Sequence, residues 1–331
     1  MTRVQPEQRA EEAARFRAIF RTAHRGHAAC AGDEWLMRPC AAPSGEPLDR
    51  PVVWSRRNGP WRRVEILWIG AAPGNAGGKG SGPRGAHGTR IPFGGDVAGA
   101  NLEVLFSSIG INRNETFIAA ALNQLPARGG GEPTTTEINA PIGGYATSVH
   151  LLRDTILAAG PRLVVLLGAV ALRTAVAAVG LATRPAFVAD RSSGDTADPW
   201  PVRLPTTARI EAAGIRRGNA TSWPDALAPS EPFFVEWRTA WGDSPLPAIL
   251  WLLHPSAQNM SPFAGPATAF HQRMVETRAA LIAAARTVLG REPCDPRPYP
   301  PTDGIYALPE WREHVAPALE KMDALWRARG V

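Results

Sequence analysis

The sequence predicts an α/β protein, a three-layer α/β/α sandwich around a short central parallel sheet. Four aliphatic runs, at 64–69, 116–122, 162–167 and 248–253, each stop at a small or polar turn, as buried strands of a parallel sheet do. Amphipathic helical stretches separate them, so strand and helix alternate along the chain. Two of the runs, VEILWIGAAPGN at 64–75 and ILWLLHPS at 249–256, open directly onto glycine-rich or polar loops. Ligands of open α/β sheets bind beyond the carboxyl ends of the strands. Gly70 to Asn75 and His254 to Ser256 are therefore candidates for the two lips of one cleft.

Composition agrees with that class. A chain of 331 residues with 44% hydrophobic content can bury a sizeable core. No run approaches the roughly 18 apolar residues of a membrane span, and MTRVQPEQRAEEAARF lacks a signal-peptide pattern. The chain reads as soluble, cytoplasmic and monomeric. Three cysteines, Cys30, Cys40 and Cys294, form no CxxC pair and indicate neither a disulfide framework nor a zinc site. The formal charge of +6 suits a polyanionic partner, although GC-rich genomes also favour arginine.

Residues 5–24 form an amphipathic helix with Ala10, Ala14, Phe16, Ile19 and Phe20 on its apolar side. The region 1–63 is an N-terminal helical and irregular extension, rich in Trp, Pro and Arg after its helix. Strand 64–69 leads into a glycine-rich loop. Asp96 then opens a helix with Val97, Leu102, Leu105, Phe106 and Ile109 on its apolar face and Gly110 at its end. Strand 116–122 runs into a loop, 123–144, far longer than a structural connection needs. A helix at 146–159 stops at Gly160-Pro161, and strand 162–167 passes through Gly168 into a helix at 169–179. Residues 180–247 read as an insertion of unassigned structure. Strand 248–253 delivers the histidine turn, and a last helix carries Phe270, Met274, Leu281, Ile282 and Leu289 before Gly290. The core domain thus spans 64–290, and 291–331 is a tail with a short helix near 310–329.

The strand ends carry four motifs in order. Gly70-Ala71-Ala72-Pro73-Gly74 reads G-x-A-P-G. His87-Gly88-Thr89-Arg90, Phe93-Gly94-Gly95-Asp96 and Gly99 read as a looser H-G-x-x-R…F-x-G-D…G. Phe117 to Leu122 with Pro126 is an apolar strand followed by a proline-bearing loop. His254-Pro255-Ser256-Ala257-Gln258-Asn259 is H-P-S-x-Q-N in full. Together they resemble the uracil-DNA glycosylase superfamily, nearest its type-B (fifth) and iron–sulfur-type branches. Gln124 stands where the iron–sulfur branches place a cysteine, and three cysteines cannot build a four-cysteine cluster. The resemblance implies a cluster-free member with that fold. It implies a monofunctional glycosylase that takes a deaminated base, above all uracil, from DNA, with no metal or organic cofactor. Ala71 and Ala72 hold the places where the family often carries a water-positioning Asp, Asn or Glu, as in type-B enzymes. The asparagine that reads the uracil edge in stricter members falls near Ala120.

Cleaving an N-glycosidic bond builds positive charge on the deoxyribose and negative charge on the departing base. A histidine and backbone N–H groups near the base oxygen stabilise the latter. His254, at a strand end and fixed by Pro255, is the candidate for that role. Asn75 or Asp96 orients the attacking water, with Asn75 ranked first because it adjoins the first motif. The flipped base needs an aromatic wall; by resemblance that is Phe93, with Asn123 and Asn259 also on the substrate side. Ser256 and the backbone of Gly70, Ala71, Ala72, Pro73 and Gly74 grip flanking phosphates. Arg90, Pro255 and Gln258 face the DNA, and the segment 258–263 is the wedge for the emptied stack.

Plainer readings stand beside these. His254 is also a reasonable half-buried strand-end histidine, Asp96 a helix cap, Phe93 a core residue and Asn75 a turn former. Arg62, Arg63, Arg216 and Arg217 read equally as solvated surface. GNAGGKGS after the first strand suggests a phosphate-binding NTPase. However, Pro73 takes the first glycine place of the P-loop pattern, Gly80 follows Lys79, and no helix begins there. A non-catalytic DNA-binding protein that senses uracil or abasic sites keeps the fold and drops the chemistry.

Overall fold

The computed structural model describes residues 6–23, 59–73, 91–124, 126, 132–182, 204–221, 247–294, 301–309 and 311–331. Asn75, Gly74 and Arg90 lie outside them, as do the GNAGGKGS stretch and most of 180–247.

Four parallel strands form the centre: β1 (Ile66–Gly70), β2 (Phe117–Ala120), β3 (Leu163–Leu167) and a strand at Ala248–Leu252. Between β3 and that last strand the insertion supplies a two-residue β4 (Ala220–Thr221), so Ala248–Leu252 is β5. The order is β2-β1-β3-β5-β4, with β4 antiparallel at the edge. The sheet is therefore mostly parallel, as the sequence predicts, with one antiparallel edge strand added by the insertion. Chain order reverses between β1 and β3, the switch point beyond whose carboxyl ends open α/β sheets bind their ligands.

Strand alternation sorts the core into two layers. Leu67, Ile69, Phe117, Ala119, Val164, Leu166, Ile249 and Trp251 face one side. There they meet α1 (Pro6–Ala23), α4 (Ser148–Ala159) and α5 (Ala169–Ala182). Ile66, Trp68, Ile118, Leu163, Val165, Leu167, Leu250 and Leu252 face the other. That side is covered by α2 (Val97–Ser108) and α7 (Ala269–Ala284), with Trp326 from α8 (Ala316–Arg327) packed in beside them. Two short helices, α3 (Thr135–Asn139) and α6 (Thr207–Ala212), complete the described α-helices, beside a 3-10 turn at Gly304–Ala307 and π-helical turns at Ala285–Leu289 and Trp311–Val315.

Several expectations shift. In α1 the buried side is Glu12, Phe16, Ile19, Phe20 and Ala23, while Ala10 and Ala14 are exposed. Phe16 and Phe20 bring that helix onto Phe117 and Trp61, at 5.2 and 5.6 Å between ring centroids. β1 begins at Ile66 and includes Gly70, two residues later than its apolar run. Within the long loop after β2, Thr134 and Glu137 form a reciprocal capping box that starts α3. The tail also packs more than expected: Ile305, Tyr306, Trp311, Val315, Leu319 and Met322 join Ile91 and Ala100 in a third cluster.

Candidate active site

The first lip is built where β1 ends. Ala121 and Leu122 donate backbone N–H groups to the carbonyls of Gly70 and Ala71, at 2.9 and 3.0 Å, extending the β1–β2 pairing into the first motif. Ala71, Ala72 and Pro73 are half-buried there. The Phe93 ring lies against Gly70. A Cβ at position 70 would stand 3.2 Å from Phe93 Cζ, which is why an aromatic ring can cover the strand end.

Phe93 has φ of 54°, a left-handed conformation that L side chains rarely adopt. Such a backbone costs about 1–3 kcal/mol and persists only when its surroundings hold it. Two features do so. Arg113, with a side chain 1% exposed, donates from its guanidinium to the carbonyls of Pro92 and of Phe93, the latter at 3.1 Å. Its Nε pairs with Glu103, and its charge lies over the Phe106 and Trp311 rings. Gly99 leaves room for the same carbonyl, since a Cβ there would fall 2.1 Å from the Phe93 oxygen.

The second lip is the turn after β5. His254 follows the strand after one residue, Leu253, and a Cβ on Gly168 would touch its Cβ at 3.5 Å. The imidazole faces Phe93, with ring centroids 5.9 Å apart and planes tilted by 37°. Burial pushes the His254 pKa below its ordinary 6.5, and the negative charge of Asp96 partly opposes that shift. A neutral imidazole therefore sits opposite the aromatic ring. Asp96 itself caps α2, with Oδ1 accepting from Gly99 N at 2.7 Å, so the plainer reading of this residue holds alongside its electrostatic reach.

The turn is held from within and from beneath. Asn259 Nδ2 donates to the His254 carbonyl at 2.8 Å and lies 3.4 Å from Ser256 Oγ. The N–H groups of Asn259 and Met260 return to Ser256 O. Asn259 thus spends its amide on closing the turn. Below it, fully buried Asn101 donates to Pro255 O at 2.7 Å and Met260 O at 3.0 Å. Gln258 is exposed, Ser256 half-buried and Pro255 buried. Phe263, a few residues on, is 59% exposed.

Asn123 sits just past β2 with its side chain buried. Its Nδ2 makes a 3.3 Å bond to Ala120 O, and its Oδ1 has no partner among the described residues. At the far edge, Arg217 lies over the Trp251 ring at 4.7 Å, two residues along β5 from Leu253 and the histidine turn.

The structure therefore brings Gly70, Phe93, Asp96 and His254 together. Asn101, Arg113, Gly168 and Trp326 escape a reading of the sequence as site residues. The one available signal was a polar residue, Asn101, inside the apolar run of α2. Among the described residues no group of three or more His, Cys, Asp or Glu side chains is arranged to hold a metal ion, and no helix is long and apolar enough to cross a membrane.

A doubly wound α/β sheet whose carboxyl edge holds a glycine turn, an aromatic ring and a histidine belongs to the class of ligand-binding α/β proteins. The family model of the Uracil DNA glycosylase superfamily matches residues 58–278, more than half of the chain, and the chain belongs to that superfamily. Membership carries glycosylase-type hydrolysis, DNA binding and DNA repair as the general activity. No curated protein matches the chain.

Proposed function

We propose that this protein is a monofunctional uracil-DNA glycosylase, hydrolysing the N-glycosidic bond of uracil in DNA to leave an abasic site. The observation that carries the reading is the half-buried imidazole of His254 facing the Phe93 ring, with burial favouring its neutral form. A flipped pyrimidine stacks on Phe93, and the van der Waals room for that ring is provided by Gly70. As the C1′–N1 bond breaks, its electron pair goes to the base, whose negative charge spreads onto the O2 oxygen. A neutral imidazole N–H donates a hydrogen bond there without passing on its proton. Water adds its oxygen to C1′, and its proton ends on the released base.

Asp96 already spends one carboxylate oxygen on the α2 cap, so Asn75 takes the water in this reading and Asp96 acts through its charge. Asn123 offers a buried acceptor, without a partner among the described residues, at the same edge, suited to the N3–H of a uracil. The backbone of residues 70–74, Ser256 and Arg90 contact phosphates, and affinity falls with salt. A second reading rests on Ala71 and Ala72, which bring no acid or amide to the first motif: a protein that binds uracil or abasic sites without cutting.

One experiment separates them. A labelled oligonucleotide with a single uracil is incubated with wild type and His254→Ala in EDTA, then treated with alkali. Breaks that need alkali, slowed at least roughly tenfold in the variant, are the expected result. Binding to uracil-containing DNA with no cleavage in single or double strands selects the second reading.

A further inference from the structure

The carboxyl-terminal helix α8 lies outside the matched region of 58–278, yet it is bonded into the histidine turn. Trp326 is fully buried, and its indole Nε1 donates to Asn101 Oδ1 at 2.7 Å. Asn101 is thereby oriented so that its amide nitrogen faces the turn, where it holds Pro255 O and Met260 O at 2.7 and 3.0 Å. The oxygen and nitrogen ends of an asparagine amide are interchangeable in shape, so the donor that fixes the oxygen also fixes which end meets the two carbonyls. Past the end of the helix, Arg329 Nε donates to Ala264 O at 2.7 Å. Two ties from one terminal segment thus reach both ends of 255–264, the stretch that follows His254 and carries exposed Phe263.

We propose that α8 is a positioning element for the reaction, acting through Trp326, Asn101 and Arg329 on the turn that presents His254. This rests on the glycosylase reading above. Trp326 and Asn101 are positioning residues, with no contact to substrate. Without the indole donor, Asn101 Oδ1 loses its one buried partner. The amide is then free to rotate or to draw in water, and the 255–264 turn loosens against a sheet that stays intact. A histidine displaced by about 1 Å from its place costs up to roughly 100-fold in rate.

The test compares full-length wild type with Trp326→Phe, which keeps a ring in the core and removes the N–H, and with Arg329→Met, which cuts the second tie at the surface. Hydrogen exchange followed by mass spectrometry reads the turn directly and needs no activity. Amides of 254–264 are expected to exchange roughly tenfold faster, with β1 and β3 unchanged. Single-turnover excision of uracil at saturating enzyme is expected to fall by roughly five- to 50-fold, more than any accompanying loss of DNA affinity through the loosened turn. Unchanged exchange of 254–264 in both folded variants overturns the proposal, and so does faster exchange with an unchanged excision rate. Should Trp326→Phe not fold, Arg329→Met alone carries the same two readings. A wild type that cuts no uracil defeats the function reading and with it the positioning role, while faster exchange would still report the physical tie.

Discussion

Replacing Arg113 with methionine removes a buried cation that holds the first lip. Its guanidinium donates to Pro92 O and Phe93 O and pairs with Glu103, while the side chain is 1% exposed. Removing one member of a buried ion pair costs about 3–5 kcal/mol, and the 23% exposure of Glu103 favours the lower end. Each carbonyl left without its charged donor adds about 1–3 kcal/mol unless water reaches it. Methionine recovers part of the sum by packing on Phe106 and Trp311. The net expectation is a loss of about 3–5 kcal/mol, a large share of the ~5–15 kcal/mol of a typical domain. Urea denaturation with m-values compared between proteins measures it. Arg113→Lys keeps the charge without the fork that serves three acceptors, so it should lose about half as much. A loss below ~1 kcal/mol for Arg113→Met would refute the claim that this residue holds the strained turn at Phe93.

Two further outcomes test the crevice. The His254 imidazole should titrate below 6.5, read from histidine NMR signals assigned with His254→Gln; titration at or above 6.5 contradicts its burial. The sign follows from linkage. Above about pH 6.5 the group is neutral in folded and unfolded chains alike and contributes nothing. As pH falls below that, the unfolded chain takes the proton first, and stability is lost until the folded pKa is reached. Asp96→Asn keeps a capping side chain and removes the opposing charge, so the titration should move further down. An unmoved titration would show that Asp96 does not reach the ring. Gly70→Ala places a Cβ 3.2 Å from Phe93 Cζ and pushes the ring by a few tenths of an ångström. Stability should change by less than ~1 kcal/mol while uracil excision falls at least about fivefold. Unaltered kinetics would remove Phe93 from the stacking role.

The four central strands are legible in the sequence because burial on both faces leaves them as unbroken aliphatic runs. The helix starts and stops at Asp96 and Gly160 are equally local, one a side-chain cap and the other a glycine with φ of 50°. β4 is not legible: two residues, Ala220 and Thr221, carry no period, and the open edge of β5 decides their pairing. α3 was written in the Thr134–Glu137 spacing but hidden among glycines and prolines. In the site, His254, Gly70 and Asp96 could be found because each sits at or just past the end of an element, and Phe93 through the resemblance of its F-x-G-D motif. Asn101 and Arg113 could not, since their partners are remote. Asn101 meets residues 154, 159 and 225 positions away, and Arg113 binds a turn that its own flanks do not announce. The sequence places Asn259 on the substrate side but does not reveal that its Nδ2 closes the turn on the His254 carbonyl.

These remote contacts share one origin, the helix α2. Asp96 caps it and sets a negative charge near the imidazole. Gly99, in its first turn, admits the Phe93 carbonyl. Asn101 holds the histidine turn, and Glu103 fixes Arg113, which in turn holds Pro92 and Phe93. Eight consecutive residues therefore govern both lips of the crevice, which belong to strands β1 and β5 that do not pair with each other. Two of the four, Gly99 and Asn101, depart from what a buried helix face prefers. A glycine in the helix and a buried amide both cost stability unless something offsets them. Here the offsetting contacts are the ones that set the distance between Phe93 and His254. Gly99 and Asn101, which weaken α2 as an isolated helix, work beside the cap Asp96 and the carboxylate of Glu103 to make it a gauge for the crevice.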